Sequence, residues 1–187
     1  DILGQVYEQF LGKVIRLTAG HQAIIDDKPE VKKAGGVYYT PTYIVDYIVN
    51  NTVGRLISPI SERGDKGGFS SSKQISNLKI LDPACGSGSF LLGGYQYLLD
   101  WHLTYYTDEL KTNDKLLKQK QPPVYINDKG DYLLTTSEKK NILLNNIYGV
   151  DIDPQAVEVT KLSLMLKVLE GESTQTLNNE LKLFRER

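Results

Sequence analysis

Two short apolar runs, each ending in an aspartate, constrain the fold of this chain more than any other feature. Residues 78–82 read LKILD and residues 147–151 read IYGVD. Turn residues follow each run, and apolar residues at helical spacing follow the turn. A strand, a tight turn and a helix, occurring twice, predict an α/β fold with ligands at the carboxyl ends of its strands.

The turn after the first run is rich in glycine. Residues 82–88 read DPACGSG. Gly86 and Gly88 allow backbone angles that other residues avoid, and they let a ligand approach the main chain closely. Asp82 would place a carboxylate in the same crevice, which disfavours a pyrophosphate. S-adenosylmethionine has no phosphate and carries an ammonium and a sulfonium, so Asp82 favours this methyl donor over a dinucleotide.

The predicted ribose-binding acid is identified by its position at the end of a strand and not by its spacing from the glycine loop. In a dinucleotide fold, the ribose-binding acid ends the second strand, ~20 residues after the glycine loop. That spacing leads to Asp108 and Glu109, which follow a helical pattern, whereas Asp151 ends a strand at a longer spacing. We therefore interpret residues 107–145 as an insertion between the first helix and the second strand. Asp151 is then the predicted acceptor for the ribose hydroxyls.

The sequence before the glycine loop predicts mostly helix and linker. Residues 2–15 have helical spacing of apolar residues, and residues 19–36 are polar and resemble a linker. Thr40 is the predicted N-cap, with Pro41 at the first helical position, of a helix over residues 41–58.

Further signals concern loops and caps. Residues 59–77, with their glycines and serines, predict a flexible surface loop. Residues 124–134 predict a β-hairpin. Thr135 with Glu138 resembles a capping box, and Asp153 is the predicted cap of the helix after the second strand.

Composition excludes several classes of protein. The 22 lysines and arginines against 23 aspartates and glutamates argue against a module that is basic as a whole, although a local patch could still contact DNA. One cysteine, Cys85, excludes an internal disulfide and is predicted to be buried and not nucleophilic. Two distant histidines predict no zinc site. No signal peptide and no membrane-spanning run is found, which predicts a soluble cytoplasmic domain without a membrane partner.

Three segments together resemble a known family. Residues 82–90 resemble the first motif of amino-group DNA methyltransferases that modify adenine N6, and residues 149–154 resemble their second. Residues 36–41, GVYYTP, resemble the motif that precedes the first in the gamma class. Residues 3–8 are similar to the helical segment upstream of the methylase core in type IIG restriction-modification proteins.

This resemblance implies a partial Rossmann-like, S-adenosylmethionine-dependent methyltransferase fold. It implies a helical N-terminal segment and linker over residues 1–35 and a cofactor-binding part over residues 36–187. By resemblance, Asp82 would bind the ammonium of the cofactor, Asp151 its ribose, and Ile152 would pack on its adenine. The complete predicted cofactor-binding set is Tyr38, Tyr39, Thr40, Pro41, Asp82, Pro83, Ala84, Gly86, Ser87, Gly88, Asp151 and Ile152.

The chain departs from the family at its catalytic motif, which is Asn or Asp, then Pro-Pro, then an aromatic residue. Its only Pro-Pro, Pro122-Pro123, stands between Gln121 and Val124. The motif is expected beyond Arg187, so no catalytic residue is assigned here. The chain is expected to bind cofactor without methylating alone, and to meet double-stranded DNA through the full-length protein.

Other readings stay open. Related enzymes methylate RNA or protein glutamine with a similar catalytic tetrapeptide, and a non-catalytic binding module could keep the same fold. A nicotinamide dehydrogenase is disfavoured by Asp82 and by Leu91, which stands where a third glycine is needed. An incomplete sheet would leave an unpaired edge, which predicts marginal stability or self-association.

Overall fold

A β-hairpin precedes the core of the molecule. The computed structural model describes residues 3–4, 6–7, 13–27, 40–57, 69 and 71–171. Strand β1 (Lys13–Leu17) pairs antiparallel with β2 (Ala23–Asp27). In the turn, the Thr18 N–H donates to the Gln22 carbonyl at 2.9 Å. His21 has a φ of 58°, which closes the turn.

This hairpin corrects part of the N-terminal prediction. Residues 3–4 and 6–7 are helical, as predicted, but residues 13–15 are strand and the predicted linker contains β2. β1 reads KVIRL and β2 reads AIIDD, and such β-branched residues favour a pleated strand. Apolar spacing over so short a segment did not distinguish the two structures.

The helix predicted over residues 41–58 is present in three parts. Helix α1 (Thr42–Val49) continues through a π turn (Asn50–Gly54) into the short α2 (Arg55–Ile57). The predicted cap is wrong by one residue, because Pro41 occupies the N-cap position and forms no side-chain cap bond. With ψ at 142°, Pro41 remains outside the helix instead of beginning it.

The predicted loop over residues 59–77 is wrong for its last part. Helix α3 (Ser72–Ile75) begins there, and the Ser71 hydroxyl accepts from the Gln74 N–H at 3.3 Å. Ile75 is fully buried. The serines that suggested flexibility therefore include an N-cap, which is a common role of serine. Residues 58–68 and 70 lie outside the described residues.

The two predicted units of strand, turn and helix are confirmed. The remaining elements are β3 (Ile80–Asp82), α4 (Ser89–Leu110), a 3-10 helix (Asp114–Lys118), β4 (Val124–Ile126), β5 (Tyr132–Leu134), α5 (Thr136–Asn146), β6 (Ile147–Gly149) and α6 (Pro154–Leu169). β4 and β5 form the predicted hairpin. Thr135 caps α5 and Asp153 caps α6 through their side chains, as predicted.

β3 and β6 form a parallel pair. Ile80 lies opposite Ile147, and Asp82 lies opposite Gly149. Beyond the strands, the Val150 N–H donates to the Asp82 carbonyl, and the Cys85 N–H donates to the Val150 carbonyl, both at 2.9 Å. The carboxyl ends of the two strands, and the turns that follow them, are therefore side by side.

Helix α4 forms the centre of the core. Its residues Leu91, Tyr95 and Leu98 are buried. α1 crosses α4 at Gly93, where an added Cβ would clash with Val45 Cγ1, so the absence of a side chain at this position allows the close approach. Buried Asn146 donates through Nδ2 to the carbonyls of Ile75 and Leu78, both at 2.7 Å, and so joins the end of α5 to the segment around α3.

One face of the parallel pair is exposed and apolar. Leu81 is 59% exposed, Tyr148 42% and Val150 56%. Among the described residues, β3 pairs only with β6, so its other edge is free. Parallel sheets are normally covered on both faces, which makes this surface unusual. None of the described helices combines the length and the apolar character needed to cross a bilayer.

Candidate cofactor-binding site

The loop between β3 and α4 depends on two glycines with left-handed backbone angles. Gly86 has a φ of 51° and Gly88 a φ of 88°. The Gly88 N–H donates to the Cys85 carbonyl at 2.8 Å, which closes the loop, and Gly88 is the N-cap residue of α4. A Cβ added at Gly86 would have no atom of the described residues within 4 Å, so the main chain here borders open space in the described part of the structure. This is the geometry that a ligand approaching the backbone needs.

Gly88 has a second constraint, which the sequence analysis missed. A Cβ added there would lie 2.7 Å from Thr160 Cγ2 and 2.8 Å from Thr160 Oγ1. The Thr160 hydroxyl also donates to the Gly86 carbonyl at 2.8 Å. α6 therefore packs directly against the glycine loop. No sequence signal marks Thr160, because one threonine on the buried side of a helix usually only fills space.

Asp151 lies against the same loop. Its Oδ2 accepts from the Gly86 N–H and its Oδ1 from the Asp153 N–H, both at 2.8 Å. The structure thus brings together Asp151 and the glycine loop, although 65 positions separate Asp151 from Gly86. A carboxylate has about four lone-pair sites, so these two bonds leave acceptor sites for further donors.

Asp82 begins the loop and is half-buried. Its Oδ1 accepts from the Ala84 N–H at 3.1 Å, and its Oδ2 forms no hydrogen bond with the described residues. Asp82 and Pro83 line a cavity of about 280 Å³ against α1 and the π turn, and the lining does not include Asp151. Asp82 therefore lines a cavity that Asp151 does not line.

The other predicted residues differ in accessibility. Pro83 and Ala84 are exposed, whereas Ser87 is buried and presents no side-chain surface to a ligand. Ile152, next to Asp151, is 100% exposed, which is unusual for so large an apolar side chain.

Only part of the predicted residue set before α1 lies within the described residues. Tyr38 and Tyr39 lie outside the described residues. Thr40 and Pro41 directly precede α1, whose Thr42 lines a groove of about 660 Å³ together with Ser89, the first residue of α4. This larger groove runs between α1, α4 and α6 and includes neither Asp82 nor Asp151 in its lining.

Cys85 is buried, as predicted. Burial raises the pKa of its thiol, and the negative charge of Asp151 raises it further. The thiol is therefore protonated at neutral pH and a poor nucleophile. Within the described ranges, no cluster of three histidine, cysteine, aspartate or glutamate side chains could hold a metal ion.

A match to a known protein family covers both the glycine loop and the turn that contains Asp151. The family model described as "MmeI, DNA-methyltransferase domain" matches residues 68–183, which include β3, the glycine loop, β6 and α6. The chain belongs to this family. The predicted resemblance to the methyltransferases of restriction-modification systems is confirmed.

Several curated proteins resemble this member of the MmeI methyltransferase family. The type II restriction enzyme and methyltransferase RM.Eco57I of Escherichia coli is 35% identical over 180 residues, covering 96% of this chain and 16% of that protein. A Methanocaldococcus jannaschii protein, named provisionally as a type II restriction enzyme and methyltransferase, is 30% identical over 204 residues. This match covers 95% of this chain and 14% of that protein. The adenine-specific methyltransferase BrxX of E. coli is 24% identical over 188 residues. This match covers 89% of this chain and 13% of that protein. The chain therefore spans about one-sixth of the length of these relatives or less.

The two loop glycines are expected to differ in their effect on stability. Gly86→Ala adds a methyl group to open space and should cost only the left-handed strain of about 1–2 kcal/mol. Gly88→Ala should cost more, because the same strain is joined by the clash with Thr160. Urea unfolding of both variants measures the difference.

A third substitution controls this comparison. Thr160→Ala removes Cγ2 and Oγ1, the two atoms closest to the added methyl group. Gly88→Ala should therefore cost less in the Thr160→Ala background than in the wild type. Equal costs in both backgrounds would contradict the packing of Thr160 on Gly88.

Proposed function

We propose that this chain is the S-adenosylmethionine-binding part of a site-specific DNA adenine-N6 methyltransferase of a restriction-modification system, with a partial Rossmann-like fold. The observation that carries the proposal is the hydrogen bond from the Gly86 N–H to Asp151 at the carboxyl ends of two parallel strands. A glycine loop and an acid at neighbouring strand ends form a site for a ligand with a ribose.

The residues present fit this cofactor. Open space at Gly86 admits a ligand to the main chain, and exposed Ile152 offers an apolar surface to the adenine ring. Asp151 accepts from the ribose hydroxyls, and the negative charge of Asp82 attracts the ammonium group. When bound, the cofactor supplies an electrophilic methyl group on its sulfonium. The residues of this chain orient that group, and no residue of the sequence is assigned to the target base.

DNA is the proposed substrate of the whole protein. Its support is the family's description as a DNA-methyltransferase domain and the name of BrxX as an adenine-specific methyltransferase. The sequence contains no Asn/Asp-Pro-Pro-aromatic tetrapeptide, so we propose that the catalytic motif and the target-recognition region lie in another part of the protein. Methylation of cellular DNA would take place in the cytoplasm.

Titration calorimetry with S-adenosylmethionine tests the site. The wild-type chain should bind this ligand and not NAD. Asp82→Asn and Asp151→Asn should each weaken binding about tenfold or more, because each removes a charged partner of the ligand. Ile152→Ser should weaken binding about fivefold through lost apolar contact.

A matched control removes a charge elsewhere. Asp128 lies exposed in the β4–β5 turn, so Asp128→Asn changes the net charge equally and should leave binding unchanged. Each variant is first shown to be folded by urea unfolding. Equal affinity for NAD, or wild-type affinity in both aspartate variants, would contradict the proposed site.

Methyl transfer by the full-length protein tests the substrate. With radiolabelled S-adenosylmethionine, label should appear in double-stranded DNA as N6-methyladenine, and the 187-residue chain alone should transfer none. RNA and protein are offered as competing acceptors in the same assay. Label in RNA or protein only would support the alternative substrates, and cofactor binding without any transfer would support a non-catalytic module.

We further propose that the exposed face of β3 and β6 is covered in the whole protein and causes self-association of the isolated chain. Leu81, Tyr148 and Val150 form an apolar surface, and the edge of β3 away from β6 pairs with no other strand in the described part of the chain. Such surfaces and edges associate in water.

Sedimentation velocity measures this association. The isolated chain should form larger species as its concentration rises, and Leu81→Thr with Tyr148→Thr should reduce them while keeping residues that favour strands. Ile126→Thr, at an exposed position of the β4–β5 hairpin, is the control and should change nothing. A monodisperse, high-melting wild-type monomer would contradict the proposal.

A further inference from the structure

Both backbone polar groups of Gly86 are held by side chains from distant parts of the chain. The Gly86 N–H donates to Asp151 and the Gly86 carbonyl accepts from Thr160, each at 2.8 Å. Asp151 follows β6, and Thr160 lies on α6. Gly86, where an added Cβ would meet no described atom within 4 Å, is therefore also fixed on both sides.

The Thr160 hydroxyl behaves differently from other threonines on helices. In α4, the hydroxyls of Thr104 and Thr107 donate to the carbonyls four residues earlier, at 2.9 Å and 2.7 Å. Such bonds within a helix are the common alternative for threonine. Thr160 instead donates to a loop carbonyl 74 positions away and is only 4% exposed.

Thr160 also packs closely against the loop at Gly88. Its side chain fills the space that a Cβ at Gly88 would need. A loop that is held in its bound shape loses less conformational entropy when a ligand binds. The hydroxyl fixes one side of Gly86, and the methyl group supports Gly88.

We propose that Thr160 is a positioning residue for the cofactor, which acts by holding the Gly86 carbonyl and so fixing the glycine loop against α6. The inference rests on the proposed cofactor-binding function. Thr160 does not touch the reacting groups in this account. Its contribution is the shape of the loop that receives the ligand.

The test is S-adenosylmethionine binding and turnover by variants of the full-length protein. Thr160→Val keeps the shape of the side chain and removes the hydroxyl, so the part-buried Gly86 carbonyl loses its donor and the loop is held less firmly; the Kd for S-adenosylmethionine should rise about tenfold. The KM for the cofactor should rise with it, and the KM for DNA should not. Thr160→Ser restores the donor and should bring the Kd back to within about twofold of the wild type.

Ser163 provides a matched control on the same helix. Its hydroxyl is buried and has no hydrogen-bond partner among the described residues, so Ser163→Ala removes a buried hydroxyl without removing a bond. This variant should bind the cofactor as the wild type does. All constants are measured under conditions where urea unfolding shows each variant to be folded, because a merely structural role would lower stability and leave the Kd unchanged.

The outcomes separate the two proposals. Binding by the wild type, loss in Thr160→Val and recovery in Thr160→Ser support the positioning role. Binding that Thr160→Val leaves unchanged, or that Ser163→Ala weakens equally, overturns this role and leaves the cofactor site standing. A folded wild-type protein that does not bind S-adenosylmethionine overturns both.

Discussion

The parallel pairing of β3 with β6 is the interaction on which the candidate site depends. Three residues of each strand are in register, and two backbone bonds through Val150 extend the pairing into the loops. Because of this register, Asp82 and Asp151 emerge at the same end of the sheet although 69 positions separate them in the sequence. A shift by one residue would turn the side chains of β6 to the opposite face and would separate Asp151 from Gly86.

Several elements were predictable because their signals are local. The glycine loop, the β4–β5 hairpin and the caps Thr135 and Asp153 each follow from a few adjacent residues with one preferred geometry. The hairpin of β1 and β2 was missed, because its short apolar run fits a helix as well as a strand. The site shows the same division: Gly86 and Gly88 were predictable from their motif, whereas the bond from Thr160 depends on tertiary packing alone.

The exposed apolar side chains at the sheet divide into two groups with different meanings. Leu81 and Tyr148 lie on paired strands, where the opposite face of a parallel sheet is normally covered by other parts of the fold. Ile152 lies beyond the strand, follows Asp151 directly in the sequence and is 100% exposed. The first group supports the proposed covering of this face in the whole protein, and Ile152 belongs to the proposed cofactor site.

The bonds that shape the loop join described residues that are far apart in the sequence. Asp82 and Val150 hold the strand ends, and Asp151 and Thr160 hold Gly86. The catalytic tetrapeptide of the family is absent from the same sequence. In the proposed function, the cofactor half of the site is formed by long-range contacts among the described residues, and the base-binding half is proposed to lie in another part of the protein. Cofactor affinity and methyl transfer should then respond to different sets of mutations.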